Sequence, residues 1–236
     1  MSQTSTESLA HEGHKVARKF FKGTSTSYDT VVNITTFGQD AIWKKAILDL
    51  IPKGNYRVLD LACGTGILTL AIASKVTHVV GVDLMEENIR IAKEKTKQSG
   101  INNVTFCVSA AETIPEPDND FDYVTASYLP KYCNIDLVVS EAARVLKDKG
   151  ILIMHDFTYP RGAVMKGLWN TYFKMLRVAG LFTPSWRPVF NELDGVIRHS
   201  NWKDELMQAM DSHGFRDVQC RNLTHDTAAI VWGKLT

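Results

Sequence analysis

The sequence predicts an α/β fold: a doubly wound sheet of seven strands, mostly parallel, with one antiparallel edge strand from a C-terminal β-hairpin. Three observations carry this. From residue 57 onward, short Val/Ile/Leu-rich runs alternate with amphipathic stretches, the βαβ pattern that puts helices on both faces of a parallel sheet. The first strand runs directly into Cys63-Gly64-Thr65-Gly66, a glycine turn that opens a helix. The last two strand-like runs, 217–222 and 227–234, are separated only by 223–226, a turn too short for a parallel crossover.

Taken in order, residues 1–14 read as a frayed polar leader and 16–21 as a short amphipathic piece, broken at 24–27. Residues 37–51 carry Phe37, Ala41, Ile42, Ala46, Ile47 and Leu50 at helical spacing. Residues 52–55, Pro-Lys-Gly-Asn, make a turn. Then come strand 57–62, helix 68–75, strand 78–83, helix 86–99 stopped by Gly100, and strands 104–109 and 121–126. Helix 135–146 and strand 150–156 complete the alternation. Residues 158–200 interrupt it with Tyr159, Trp169, Tyr172, Phe173, Phe182, Trp186 and Phe190. A helix over 202–213 precedes the closing hairpin. The 236 residues fit one domain, 1–236, with an N-terminal helical segment (15–51) and a lid-like insertion (158–200).

Net charge is +1, so no global field recruits nucleic acid, and none is expected as a partner. No apolar run reaches the ~20 residues that span a bilayer. The N-terminus lacks the apolar core of a signal peptide. Cys63, Cys107, Cys133 and Cys220 are widely spaced and read as reduced thiols, so the expected compartment is the cytoplasm. His11-Glu12-Gly13-His14 lacks the histidine spacing of a zinc-protease helix, and no metal is expected.

Val58-Leu59-Asp60-Leu61-Ala62-Cys63-Gly64-Thr65-Gly66 brings an apolar strand into a loop where backbone and ligand can meet closely. Ligands of open α/β sheets bind at such strand ends. A dinucleotide site needs G-x-G-x-x-G/A. From Gly64 this chain reads G-T-G-I-L-T, with Thr69 where a third small residue should pack. The spacing fits D-x-G-x-G-x-G instead, with Ala62 in the first glycine slot. Asp60 would repel a pyrophosphate and suits the ammonium and sulfonium of S-adenosylmethionine (SAM). Asp83, ending the second strand, is placed to accept ribose hydroxyls, a feature that SAM and NAD sites share.

These residues, with Ala110-Ala111-Glu112 and Phe121-Asp122, resemble class I SAM-dependent methyltransferases, whose fold is Rossmann-like. More narrowly, from about Phe20 to the C-terminus the chain is similar to the ubiquinone/menaquinone biosynthesis C-methyltransferases. Phe21, Tyr28-Asp29, Asn33, Phe37-Gly38 and Trp43-Lys44 match that family before the core. Pro117-Asp118-Asn119, Arg144-Val145-Leu146-Lys147, Gly150, Gly214-Phe215 and Asn222-Leu223-Thr224 match after it. The resemblance implies SAM as cofactor. Thr69 and the backbone around Gly64 would hold its methionine portion, together with Asp60, Ala62 and Gly66. Asp83 and Leu84 would take the ribose side, Ala110 and Ala111 would flank the adenine, Ser127 would line the pocket, and Tyr28 would close over it. Two positions depart from the family. Ala110 stands where Asn or Asp is usual, so a side-chain contact to adenine is lost. Lys131-Tyr132 replaces an Arg-Asn pair at the corner that faces the substrate.

Methyl transfer is an in-line displacement helped mainly by positioning and desolvation. A carbon or phenol nucleophile also needs a proton removed. Lys131, His155 and Asp156 lie at strand carboxyl ends and are the catalytic candidates; each also reads as an ordinary loop cation, strand-end residue or turn cap. Residues 158–200 read as a lid or tunnel wall for an apolar or prenylated small molecule, or as an extra helical layer or homodimer contact. Lys166, Lys174, Arg177 and Arg187 suit an anionic substrate or a lipid interface, or simply snorkel, which leaves peripheral membrane contact open. The leading function is methyl transfer to a quinol-type or other aromatic ring carbon. The alternatives are O- or N-methylation of another metabolite and a non-catalytic SAM-fold binding subunit.

Overall fold

A computed structural model describes residues 13–236, so His11, Glu12 and most of the polar leader lie outside the described residues. Strands β1 (Arg57–Leu61), β2 (His78–Asp83), β3 (Val104–Val108), β4 (Phe121–Ser127), β5 (Leu146–Phe157), β6 (Phe215–Leu223) and β7 (Ala228–Leu235) form one sheet. Their order is β3-β2-β1-β4-β5-β7-β6. The first five pair in parallel, and β7 runs antiparallel to both β5 and β6. The hairpin thus supplies the reversed strand, one place in from the rim. Ala228, Ala229, Ile230 and Val231 are all buried, as a strand covered on both faces requires. Arg216, Asp217, Gln219, Arg221 and Asn222 are exposed, which suits β6 to the edge.

The helices are α1 (residues 13–21), α2 (Tyr28–Thr35), α3 (Gln39–Leu48), α4 (Ile67–Ala73), α5 (Glu86–Gln98), α6 (Ile135–Val145), α7 (Ala163–Ala179), α8 (Arg187–His199) and α9 (Trp202–Ser212). On one face of the sheet Leu59, Leu61, Val124, Leu152 and Met154 pack with Val138 and Ala142 of α6 and Trp202 and Leu206 of α9. On the other, Val58, Val79, Ile153 and Ile230 pack with Ile47 of α3 and Leu68 and Ile72 of α4. Successive strand side chains point to opposite faces. Val58 and Leu59 therefore serve different layers, and the central strands are apolar along their length.

Two regions owe their form to contacts between distant parts of the chain. Residues 28–35 form α2, although Val31, Val32, Ile34 and three threonines nearby are poor helix formers. Tertiary contacts overrule propensity there: Val31 and Val32 pack in an aromatic cluster with Phe20, Tyr132, Trp186 and Phe190. Residues 158–200 contain α7 and α8, fastened by the buried carboxylate of Asp194. It accepts from Trp169 Nε1 at 2.7 Å, Arg198 Nε at 2.7 Å and an Arg177 guanidinium nitrogen at 3.2 Å.

Trp202 is 2% exposed, and its indole donates to the Phe157 carbonyl at 2.8 Å. Trp202→Ala is expected to lower the unfolding free energy by about 3–5 kcal/mol, read as an earlier denaturant midpoint by circular dichroism. A loss below about 1 kcal/mol would mean that α9 adds little to the core.

Candidate active site

β1 pairs with β2 on one side and β4 on the other, so the winding of the chain reverses here and a crevice opens at the carboxyl ends. The loop that follows β1 holds three left-handed residues: Ala62 (φ 52), Gly64 (φ 55) and Gly66 (φ 85). Ala62 bears a cost of roughly 1–2 kcal/mol for that conformation. A Cβ added at Gly64 would meet nothing within 4 Å, because Gly64 faces the crevice. A Cβ at Gly66 would stand 3.1 Å from the Ala92 Cβ. Gly66 thus lets α4 and α5 approach and does not line the crevice.

Two carboxylates frame this loop. Asp60, 1% exposed, accepts from the Thr69 hydroxyl at 2.6 Å and the Thr125 hydroxyl at 2.9 Å. Burial pushes its carboxyl up to about 6 against the pull of these two bonds. Thr69 is fully buried and reaches the crevice only through Asp60. Asp83 accepts from Gly64 N at 2.9 Å, Met85 N at 2.8 Å and Asn88 Nδ2 at 3.1 Å. Burial raises its carboxyl too. Those bonds occupy three of the about four acceptor positions of a carboxylate, so Asp83 both pins the loop and keeps an open acceptor position.

The crevice has two lobes. The larger, about 100 Å³, is lined by Asp83, Leu84, Ala110, Ala111, Glu112 and Ser127. The smaller, about 40 Å³, holds Asp60, Ala62, Gly64, Thr65 and Lys44. Tyr28 lines both. It belongs to a roof made by α1 and α2. His14 Nε2 lies 3.0 Å from Glu112 Oε2. Asp29 takes the Thr65 hydroxyl at 2.5 Å and an ion pair from Lys95. Gly13 lies so close to the 3-10 turn Pro130–Tyr132 that an added Cβ would stand 2.1 Å from the Tyr132 carbonyl oxygen. No cluster of three or more metal-ligating side chains occurs among the described residues.

Beyond Tyr28, Tyr128 and Tyr132 lies a second cavity of about 470 Å³, walled by Trp43, Phe157, Trp169, Phe173, Trp186 and Phe190 among others. Lys131 is the one charged side chain lining it among the described residues. Its ammonium lies 4.5 Å from the Tyr132 ring centre, with the Tyr128 and Phe157 rings at 5.4 and 5.5 Å. It forms a buried ion pair with Asp156; the two side chains are 1% and 0% exposed. Burial drives both toward their neutral forms, and the contact opposes that drive. Asp156 also accepts from Phe157 N at 2.7 Å. His155 reaches neither cavity. Its Nδ1 lies 3.0 Å from the Ser127 hydroxyl, its Nε2 has no hydrogen-bond partner among the described residues, and burial with Lys44 and Lys131 nearby keeps it neutral. Tyr28, Tyr128 and Tyr132 are all raised by burial, so none serves as a phenolate base at neutral pH.

Sequence reasoning missed Tyr128, which stands between the cavities. It follows β4 with φ 66, stacks on Phe157 at 4.9 Å, and donates its hydroxyl to Asp40 at 2.8 Å. Asp40 is also paired with Lys44. No local spacing announces contacts between residues so far apart in the chain.

Of the two carboxylates, Asp60 is the one that discriminates between ligand classes. A pyrophosphate beside Asp60 would be repelled, whereas the cationic end of SAM matches it. The sheet with its reversed β7 has the fold of a solved SAM-dependent methyltransferase, and the family pattern and curated relatives make this chain a member of that class. The sequence pattern of the ubiE/COQ5 methyltransferase family matches residues 9–234, and the chain belongs to that family. It is 31% identical over 232 residues to the demethylmenaquinone methyltransferase of Staphylococcus haemolyticus, covering 90% of this chain and 91% of the relative. It is 30% identical over 220 residues to the ubiquinone/menaquinone biosynthesis C-methyltransferase UbiE of Shewanella pealeana, covering 90% and 88%. Among solved structures it matches a SAM-dependent methyltransferase from Aquifex aeolicus in fold. The TM-score there is 0.58 at 19% identity, covering 82% of this chain and 89% of that one.

Two outcomes follow from this geometry. SAM affinity should fall as the pH drops below about 6, because a protonated Asp60 offers a cation nothing. The fall should approach about tenfold per pH unit, and Asp60→Asn should flatten it; calorimetry from pH 5 to 8 would show this. Gly64→Val should abolish SAM binding in a protein whose circular dichroism is unchanged. Retained affinity in that variant would show that the loop backbone does not face the ligand.

Proposed function

We propose that the protein transfers the SAM methyl group to a ring carbon of a quinol-type aromatic acceptor seated in the larger cavity. The observation that carries this reading is the shared wall: Phe21, Tyr28, Tyr128 and Tyr132 line both the cofactor crevice and the aromatic cavity. The volume of that cavity falls within the roughly 300–1,000 Å³ of small-molecule sites, and its walls suit a flat apolar ring. The names of the two relatives point to quinone-type acceptors as well.

Bound SAM supplies an electrophilic methyl group on a sulfonium. Asp60 and the Gly64 loop would hold its cationic end, Asp83 a ribose hydroxyl, and Ala110 and Ala111 the adenine, with Ser109 and Glu112 beside the position where a side-chain contact is lost. Lys131 gives a proton to Asp156 and takes the acceptor's hydroxyl proton. The acceptor oxygen is left as an anion against the ammonium. That charge would raise the nucleophilicity of the ring carbon, which would take the methyl group from the sulfonium. The resulting dienone releases its ring proton to solvent, the re-formed aromatic oxyanion takes a proton back from Lys131, and Asp156 returns its proton to Lys131. His155 is a positioning residue that orients Ser127. The N-terminal helices and α7–α8 act as the walls that exclude water. The free thiols of Cys63, Cys107, Cys133 and Cys220 suit a reducing compartment, and we place the protein in the cytoplasm.

Lys131→Met should cut turnover of a short-chain quinol by about 10²–10⁴-fold and leave SAM affinity within about twofold. The readouts are radiolabelled methyl transfer and calorimetry. Proton NMR of the product should show the new methyl on a ring carbon. A methyl on oxygen would replace the reading with O-methylation, and SAM binding without transfer to any quinol would favour a non-catalytic role. Trp169→Ala and Phe173→Ala should raise the acceptor's apparent Michaelis constant without changing SAM affinity.

A further inference from the structure

The outer face of α7 is apolar where a soluble helix is normally polar. Val164, Leu168, Met175 and Val178 recur at helical spacing on one side, and all four are more than half exposed. Leu181 and Phe182 continue the stripe into the following turn, with Phe182 81% exposed. Beside it, Phe37 is 79% exposed, is held at φ 53, and lies 5.8 Å from the Tyr172 ring of α7. A large apolar side chain kept in water on a left-handed backbone is a cost that a solitary surface position would not retain. Ile34 adds to this patch from the end of α2. Contiguous exposed apolar surface of this kind marks an interaction site.

Charge indicates the partner. Between Asp156 and Glu192 the chain has five basic residues, Arg161, Lys166, Lys174, Arg177 and Arg187, and no acidic one. Arg161, Lys174 and Arg187 form no ion pair among the described residues. The acids of neighbouring α8 are already committed: Asp194 to Arg177 and Arg198, and Glu192 to Lys19. No helix among the described residues is long and apolar enough to cross a membrane. An apolar stripe with unneutralised cations at its flanks is the pattern of a helix that lies in the interface of an anionic bilayer.

Position indicates the purpose. Phe37, Leu168 and Met175 are exposed and also line the aromatic cavity, so they form its mouth. We infer that the face formed by α7, the turn after it and Phe37 docks on an anionic phospholipid surface, so that the cavity opens at the boundary of lipid and water. The apolar part of an acceptor then stays in the bilayer while its ring enters. That purpose rests on the cavity being the acceptor site; the docking itself does not.

The test uses the full chain and vesicles of phosphatidylglycerol and phosphatidylcholine in equal parts. The protein should co-sediment with them, bind phosphatidylcholine vesicles less well, and be released by salt. Val178 and Phe182 line neither cavity. The double variant Val178→Asp/Phe182→Asp should weaken vesicle binding by about tenfold or more with SAM affinity unchanged, which shows that it is folded. Absence of binding to the mixed vesicles, or equal binding by the variant, overturns the inference. So does a concentration-dependent dimer in sedimentation velocity that the variant abolishes, since the face would then belong to a second copy. No acceptor is present in this assay, so its failure leaves the methyl-transfer reading intact, and the reverse holds.

Discussion

Asp60 is a carboxylate removed from water at the meeting point of three elements. β1 carries it, α4 offers the Thr69 hydroxyl, and β4 offers the Thr125 hydroxyl. Two neutral hydroxyls do not replace the hydration of an ionised carboxylate. The nearest candidate cation, Lys44, is held by Asp40 instead. The protein therefore folds around an incompletely compensated negative charge, and on the proposed reading a ligand cation would supply what is missing. The left-handed loop follows from the same constraint. Ala62, Gly64 and Gly66 must turn the chain at once, so that the backbone beyond Asp60 faces the ligand and does not block it. Asp83 locks that turn from β2 through the Gly64 amide.

Much of this is legible in the sequence because it is local. The spacing from Asp60 to Gly66 and the position of Asp83 at a strand end are enough by themselves to locate the crevice. Spacing does not separate residues that face a ligand from residues that support those that do. Gly66 and Thr69 occupy motif positions, yet one serves helix packing and the other serves Asp60. The helix over 28–35 falls within the segment 15–51 read as helical, but its own β-branched residues argue against it and contacts with distant aromatics hold it. The hairpin turn foretells an antiparallel strand. Which of its two strands enters the sheet is decided by burial, with the apolar run of β7 inside and the charged β6 at the rim.

The aromatic surplus of residues 158–200 does two kinds of work. Trp169 and Phe173 face the cavity while the Trp169 indole reaches Asp194, so one side chain forms a wall and also ties α7 to α8. Trp186 stacks between Tyr28 at 6.0 Å and Phe190 at 5.8 Å, and its indole donates to Ser27. The N-terminal roof and the α7–α8 unit thus form one aromatic assembly over the carboxyl ends of the sheet. Inside it, Lys131 and Asp156 are a buried pair that packing alone would not favour. Lys131 stands at the wall of an apolar cavity with Asp156 behind it, which is why the proposed reading gives the pair a chemical role.

The roof formed by α1 and α2 has a kinetic consequence. Tyr28 and Phe21 belong to both cavities, so the acceptor's compartment has its full wall only while the roof is down. The roof is fastened to the cofactor loop itself, through Asp29 to Thr65, and to the rim of the adenine lobe, through His14 to Glu112. On the proposed reading, entry and exit of the cofactor are coupled to these two fastenings, while the acceptor has its own mouth at Phe37, Leu168 and Met175. The lifting of a short helical segment of this kind is a motion of the μs–ms class, slow enough to compete with the chemistry it would enclose.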